Sequence, residues 1–206
     1  MIIRTIPVGM TQTNCYIVGC EETQKGVIID PGGHPRRILA ALKKSGLTIS
    51  YVLNTHCHFD HMGANADIVA ATGAHLALHA AELPILKERG GAALFGVPMK
   101  ESPMPDMELE PEQKLDVGEL CFEVLHTPGH SPGGVTFYLE REGVAFGGDT
   151  LFSGGIGRTD LPGGDMEALM HSIRKVLFAL PDNTVIYPGH GPKTTVGREK
   201  THNPWL

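Results

Sequence analysis

The chain has 206 residues, 41% of them hydrophobic and 19% charged, and a formal net charge of -6. That length buries one sizeable core, so a single domain over 1–206 is expected, and the excess of acid argues against a general nucleic-acid-binding surface. Nothing approaches the ~18 consecutive apolar residues of a membrane span, and Pro7, Gly9 and Asn14 interrupt the N-terminal stretch where a secretory signal would be apolar. The 26 glycines and 15 prolines imply many tight turns. The four cysteines do not read as a disulfide framework, because Cys15 and Cys20, an odd number of residues apart, would lie on opposite faces of a shared strand. A reducing cytoplasm is the expected setting.

In chain order, Met1 to Pro7, Asn14 to Cys20 and Gly26 to Asp30 read as strands. Asp30-Pro31-Gly32-Gly33 turns into a helix from about Pro35 to Lys44, with Ile38, Leu39 and Leu42 as its apolar stripe. Ile49 to Asn54 is a strand that leads into Thr55-His56-Cys57-His58-Phe59-Asp60-His61. A small-residue helix from Gly63 to Thr72, a short strand from His75 to Leu78 and a helix from Ala80 to Arg89 follow. Gly90 to Asp106, rich in glycine and proline, is a loop, either a flap over a site or a surface connection. Leu120 to His126, Val135 to Leu139, Val144 to Gly147 and Thr184 to Tyr187 return to strands, and Met166 to Ala179 and Thr195 to Lys200 read as helices. Each half alternates strands with helices, which predicts two sheets packed face to face with helices outside.

The chemistry sits on four turns, each following a predicted strand end. They are the His56–His61 run, Thr127-Pro128-Gly129-His130, Gly147-Gly148-Asp149-Thr150 and Tyr187-Pro188-Gly189-His190. Imidazole and carboxylate are the N and O donors of zinc and similar divalent ions. Seven such ligands are too many for one tetrahedral ion and suit two. One ion would take His56, His58 and His130, and the other Asp60, His61 and His190. Asp149 would bridge them, because a carboxylate has two oxygens to share. Two ions so placed can hold a hydroxide at neutral pH. Cys57 should point away from its neighbours, and Asp30 is either a group that orients a ligand or an ordinary turn-forming aspartate. The start of the Gly63 helix would add positive potential nearby.

Asp30-Pro31-Gly32, His56-x-His58-x-Asp60-His61, Thr127-Pro128-Gly129-His130-Ser131-Pro132-Gly133, Gly148-Asp149 and Pro188-Gly189-His190-Gly191-Pro192 resemble the metallo-β-lactamase superfamily, and within it the glyoxalase II-like hydrolases. The resemblance runs through nearly the whole chain, to His202-Asn203-Pro204. It implies an α/β fold, a four-layer αβ/βα sandwich, with a dinuclear site between the sheets and the ligand partition given above. The ions would be zinc in the first instance, with iron or manganese as alternatives. Asp149 stands where di-zinc β-lactamases of this fold carry a cysteine, which sets the chain apart from them. It resembles the short subgroup that lacks the C-terminal helical domain of longer glyoxalase II enzymes. That family places a basic residue and an aromatic near Gly157-Arg158-Thr159-Asp160; here Arg158 supplies the charge and Asp160 stands in the aromatic's place.

The resemblance implies a thioester hydrolase acting on S-D-lactoylglutathione or a related small acyl thiol, and the charge and hydropathy given above lead to the expectation of neither nucleic acid nor membrane as partner. In it Asp60 also takes a proton from the attacking hydroxide. Arg158 either pairs with a substrate carboxylate or forms an ion pair with Asp160 or Asp165. The competing expectation is a mononuclear-iron persulfide dioxygenase, which the chain resembles around Asn54-Thr55-His56-Cys57-His58 and Gly157-Arg158-Thr159-Asp160. Such enzymes hold their iron with the counterparts of His56, His130 and Asp149. Their Ala-His-Asp-Tyr is replaced here by Gly189-His190-Gly191-Pro192, which favours the hydrolase. A non-catalytic metal-stabilised scaffold would need a missing ligand or a blocked pocket, and all seven ligands are present.

Overall fold

The computed structural model describes all residues from Met1 to Leu206. Its frame is two six-stranded mixed sheets. The first holds β1 (Ile2–Val8), β2 (Thr13–Gly19), β3 (Lys25–Ile29), β4 (Thr48–Leu53), β5 (His75–His79) and β6 (Met107–Leu109), in that spatial order. The first two pairings are antiparallel and the rest parallel. The second sheet runs β14 (Thr194–Thr195), β13 (Val185–Pro188), β10 (Val144–Gly148), β9 (Val135–Leu139), β8 (Leu120–His126), β7 (Lys114–Val117). Only its β10–β13 pairing is parallel. A small hairpin, β11 (Leu151–Phe152) with β12 (Gly155–Ile156), stands apart.

Period-two alternation separates the layers. In β2, Tyr16 and Val18 enter the core between the sheets, whereas Cys15 and Ile17 face the outer helices. Phe122, Phe137 and Phe146 fill the inter-sheet layer and are fully buried, each worth roughly 2–3 kcal/mol of apolar transfer. Outside the first sheet, Ile38 of α1 (Pro35–Ser45), Ile68 of α3 (Asn65–Thr72) and Leu86 of α4 (Leu83–Lys87) close a second core. Outside the second sheet, Leu169 of α5 (Met166–His171) and Val196 of α6 (Val196–His202) do the same. The expected four layers are therefore present.

Several boundaries differ from the sequence reading. The helix expected from Gly63 to Thr72 begins two residues later, as α3 at Asn65, and a single turn, α2 (Phe59–Met62), precedes it and carries Asp60 and His61. The break falls where Ala64 N–H turns aside to the Pro31 carbonyl (2.8 Å). The N-terminal end expected at Gly63 therefore lies at Asn65. The expected Ala80–Arg89 helix is a 3-10 turn, Ala80–Glu82, followed by α4, with Pro84 near the new start. Met166 to Ala179 changes pitch after α5, through a wide π turn (Ser172–Val176) and a closing 3-10 turn. Strands β6, β7, β11, β12 and β14 lie outside the sequence reading. β6 is only three residues long; β7 carries an alternation, Leu115 and Val117 inward, that pattern reading can detect. No helix is long and apolar enough to cross a membrane.

Candidate metal centre

All seven predicted donors converge at one edge of the sandwich. β8 and β10 both run antiparallel to the β9 strand between them, and β13 runs parallel to β10, so all three end at the same edge. β4 delivers the His56–His61 run from the facing sheet. Three groups of ligand atoms form, each within 4.8 Å: His56, His58 and His130; Asp60, His61 and His190; and His56, His61 and Asp149. Asp149 sits between the other two groups, its Oδ2 3.7 Å from His130 Nε2 and 3.5 Å from His190 Nε2, and its Oδ1 3.4 Å from His61 Nε2. Cys57 is buried in the outer core and belongs to none of these groups.

The surroundings choose which ring nitrogen faces the centre. His130 Nδ1 donates to the Arg158 carbonyl (2.8 Å), and His190 Nδ1 to the Thr11 carbonyl (3.2 Å). His61 Nδ1 donates to Asp30 Oδ2 (3.0 Å). Thr55 Oγ1 also donates to Asp30 Oδ2 (2.7 Å) and accepts from His56 Nδ1 (3.1 Å). Each of these four rings thus turns Nε2 inward, while His58 presents Nδ1, 2.9 Å from His130 Nε2. Of the two readings of Asp30, the structure supports the orienting group: it holds His61 directly and His56 through Thr55. Thr13 Oγ1 fixes Asp60 Oδ2 in the same way (3.0 Å). Sequence reasoning missed Thr13 and the two carbonyls, which carry no motif.

The electrostatics suit cations. Burial opposes charge on His61, yet Asp149, Asp30 and Asp60 outweigh it and raise its pKa well above the usual imidazole value. Burial likewise opposes charge on His190, but Asp149 and Asp60 carry it up to about 9. Burial, with the neighbouring His130 and His61, depresses His58 to about 4. Asp60 and Asp149 remain below the carboxylate range despite burial, held there first by His61. The fit to metal rests on two atoms: His56 Nε2 and Asp149 Oδ1 are buried and lack any hydrogen-bond partner. Such orphans are costly unless something binds them. Five imidazole nitrogens and two carboxylates pointing at common centres meet the donor chemistry of a divalent pair.

A family model for the metallo-beta-lactamase superfamily matches residues 8–190. The chain belongs to that superfamily. Hydroxyacylglutathione hydrolase GloC of Haemophilus influenzae is 40% identical over the whole of this chain and 98% of its own length. The crystal structure of BLEG-1 B3 metallo-β-lactamase superposes with a TM-score of 0.94 at 41% identity, covering 100% of this chain and 99% of that one. TTHA1623 in a di-iron-bound form superposes at 0.91 with 42% identity, over 98% and 100%. The bovine mitochondrial persulfide dioxygenase ETHE1 is 34% identical over 94% of this chain and 71% of its own length. Membership and the His/Asp clusters make this chain a metallo-hydrolase of the superfamily, with clusters consistent with a dinuclear site.

Arg158 lines the same cavity as His58, His130 and His190. Its guanidinium is exposed and forms a two-point pair with Asp160, both bonds 2.7 Å. Of the pairings considered, Asp160 is the partner. The 90–106 loop reaches the site: Gly90 and Phe95 line the cavity above the ligands, and the Phe95 ring lies 5.2 Å from Phe59.

Proposed function

We propose that the chain is a thioester hydrolase whose substrates are small acyl thiols such as S-D-lactoylglutathione, working with two zinc ions in a cytoplasmic setting. The observation that carries this reading is the complete seven-donor cluster at the base of a cavity of about 410 Å³, a volume suited to a small acyl thiol. The likeness to GloC over both full lengths supports the choice of substrate class. His56, His58 and His130 would hold one ion, Asp60, His61 and His190 the other, with Asp149 shared. Such ions, when bound, supply a hydroxide nucleophile at neutral pH and polarise the acyl carbonyl. Iron and manganese satisfy the same donors, and supply in the cell decides among them.

The chain's own residues do the rest. Asp60, kept ionised by His61 and His190 and oriented by Thr13, would accept the proton of the nucleophile in this reading. Met10, Phe59, Phe95 and Leu161 form an apolar wall that screens the reacting carbonyl from bulk water. Arg158 reaches a substrate carboxylate only by exchanging Asp160; its carbonyl meanwhile sets the His130 tautomer.

The deciding experiment is thiol release from S-D-lactoylglutathione by metal-loaded protein, with and without chelator. Rapid, chelator-sensitive release is expected; no release from protein carrying two ions per chain would refute the thioesterase reading. Persulfide oxidation is the second reading, favoured by the likeness to ETHE1. One iron per chain and oxygen uptake with a persulfide would establish it instead.

A further inference from the structure

Glu82 is fully buried, belongs to none of the ligand groups and has no cationic partner. A buried acid of this kind is expensive and persists only when hydrogen bonds or function compensate it. Its two oxygens are both occupied. Oε2 accepts the backbone N–H of Cys57 at 2.7 Å, and Cys57 lies between His56 and His58. Oε1 accepts the backbone N–H of Gly133 at 2.7 Å, in the turn that begins with His130. One carboxylate therefore clamps together the two turns, from different sheets, that present His56, His58 and His130. The second turn is shaped to meet it, because a Cβ on Gly133 would lie 2.8 Å from Glu82 Cγ and 2.9 Å from its backbone nitrogen.

The clamp demands a carboxylate of this length. A glutamine offers one acceptor, and its amide N–H₂ would face one of the two backbone donors. An aspartate is one methylene short and cannot span both. The charge also matters, since His56, His58 and His130 are neutral ligands when they bind a metal and share only the Asp149 carboxylate.

We propose that Glu82 is a positioning residue for the His56–His58–His130 subsite. It sets the separation of the two turns and the local negative charge, and leaves the Asp60–His61–His190 subsite alone. The inference rests on the dinuclear reading above, so the ion count of the wild-type protein comes first. One ion per chain there overturns the dinuclear reading. With two ions established, Glu82→Gln and Glu82→Asp are stripped and titrated with Zn²⁺, alongside circular dichroism and thermal melting of the metal-free forms. Both variants are expected to keep the wild-type fold, bind one ion with unchanged affinity and bind the other at least tenfold more weakly. Added to a His130→Ala background, Glu82→Gln should leave the affinity of the remaining ion unchanged. Two ions at wild-type affinity in both variants, equal weakening of both ions, or failure of both variants to fold would each overturn the role.

Discussion

Replacing Gly189 by alanine tests whether Asp149 is the group shared between the two subsites. A Cβ at position 189 would sit 2.0 Å from Asp149 Oδ1 and 2.6 Å from His61 Cε1. Ordinary non-bonded separations are about 3.5 Å, so Oδ1 must retreat by about 1.5 Å. The backbone cannot yield instead: Gly189 N–H donates to the Gly148 carbonyl at 2.7 Å, and its own carbonyl accepts from Asn14 N–H at 2.7 Å. The Asn14 side chain pins the flanking Pro188 and Gly191 carbonyls as well. The strain is that of an overpacked core, about 1–3 kcal/mol, which a chain of this size survives. The site does not survive it, because a 1 Å error in a catalytic group costs on the order of 100-fold in rate. The assay is bound metal per chain and kcat/KM, with circular dichroism as the control for folding. The expected variant is folded, short of metal and at least roughly 100-fold less active. A Gly189→Ala protein that holds two ions and keeps activity within about threefold would refute the shared-carboxylate geometry, since threefold is under 1 kcal/mol.

Asp30→Asn leaves one acceptor oxygen for three donors, Thr55 N–H, Thr55 Oγ1–H and His61 Nδ1–H. Position 30 has a left-handed φ of 51°, which asparagine tolerates, so the fold should persist while metal affinity falls about 10–100-fold, read by competition with a chelator. Unchanged affinity would remove Asp30 from the support of His56 and His61. Arg158→Ala should raise KM for S-D-lactoylglutathione more than it lowers kcat, whereas an unchanged KM would confine Arg158 to its pair with Asp160 and to its carbonyl.

The metal-free protein should also show a bell in thermal stability against pH. His190, raised to about 9, contributes stability that is complete below the unfolded value of 6.5 and is lost as pH rises through about 9. His58, depressed to about 4, stays neutral in the fold while the unfolded chain takes up its proton, so stability falls as pH drops from 6.5 through about 4. Melting of chelator-treated protein across this range measures it. A melting point that climbs steadily from pH 6.5 to 9 would contradict the charge pattern around His190.

The sequence by itself determined what depends on local order. Strand alternation, turn residues and the spacing of His56, His58, Asp60 and His61 are short-range properties of the chain, and they sufficed for the sandwich, the donors and their place at strand ends. Cys15 and Cys20 on opposite faces followed from parity alone. Weak local signal cost it β6, the pitch changes after His171 and the turn of helix that already carries Asp60 and His61. Tertiary structure decided everything that joins distant positions. Asp30 meets His61 across 31 residues, Glu82 meets Gly133 across 51, and the Thr11 carbonyl meets His190 across 179. Such contacts are set by how two sheets and their loops pack, and a carboxylate or carbonyl that works only through them leaves no periodic trace. The pairing of Arg158 with Asp160 is the exception in distance, two residues apart, but only the folded loop shows that the guanidinium is engaged there.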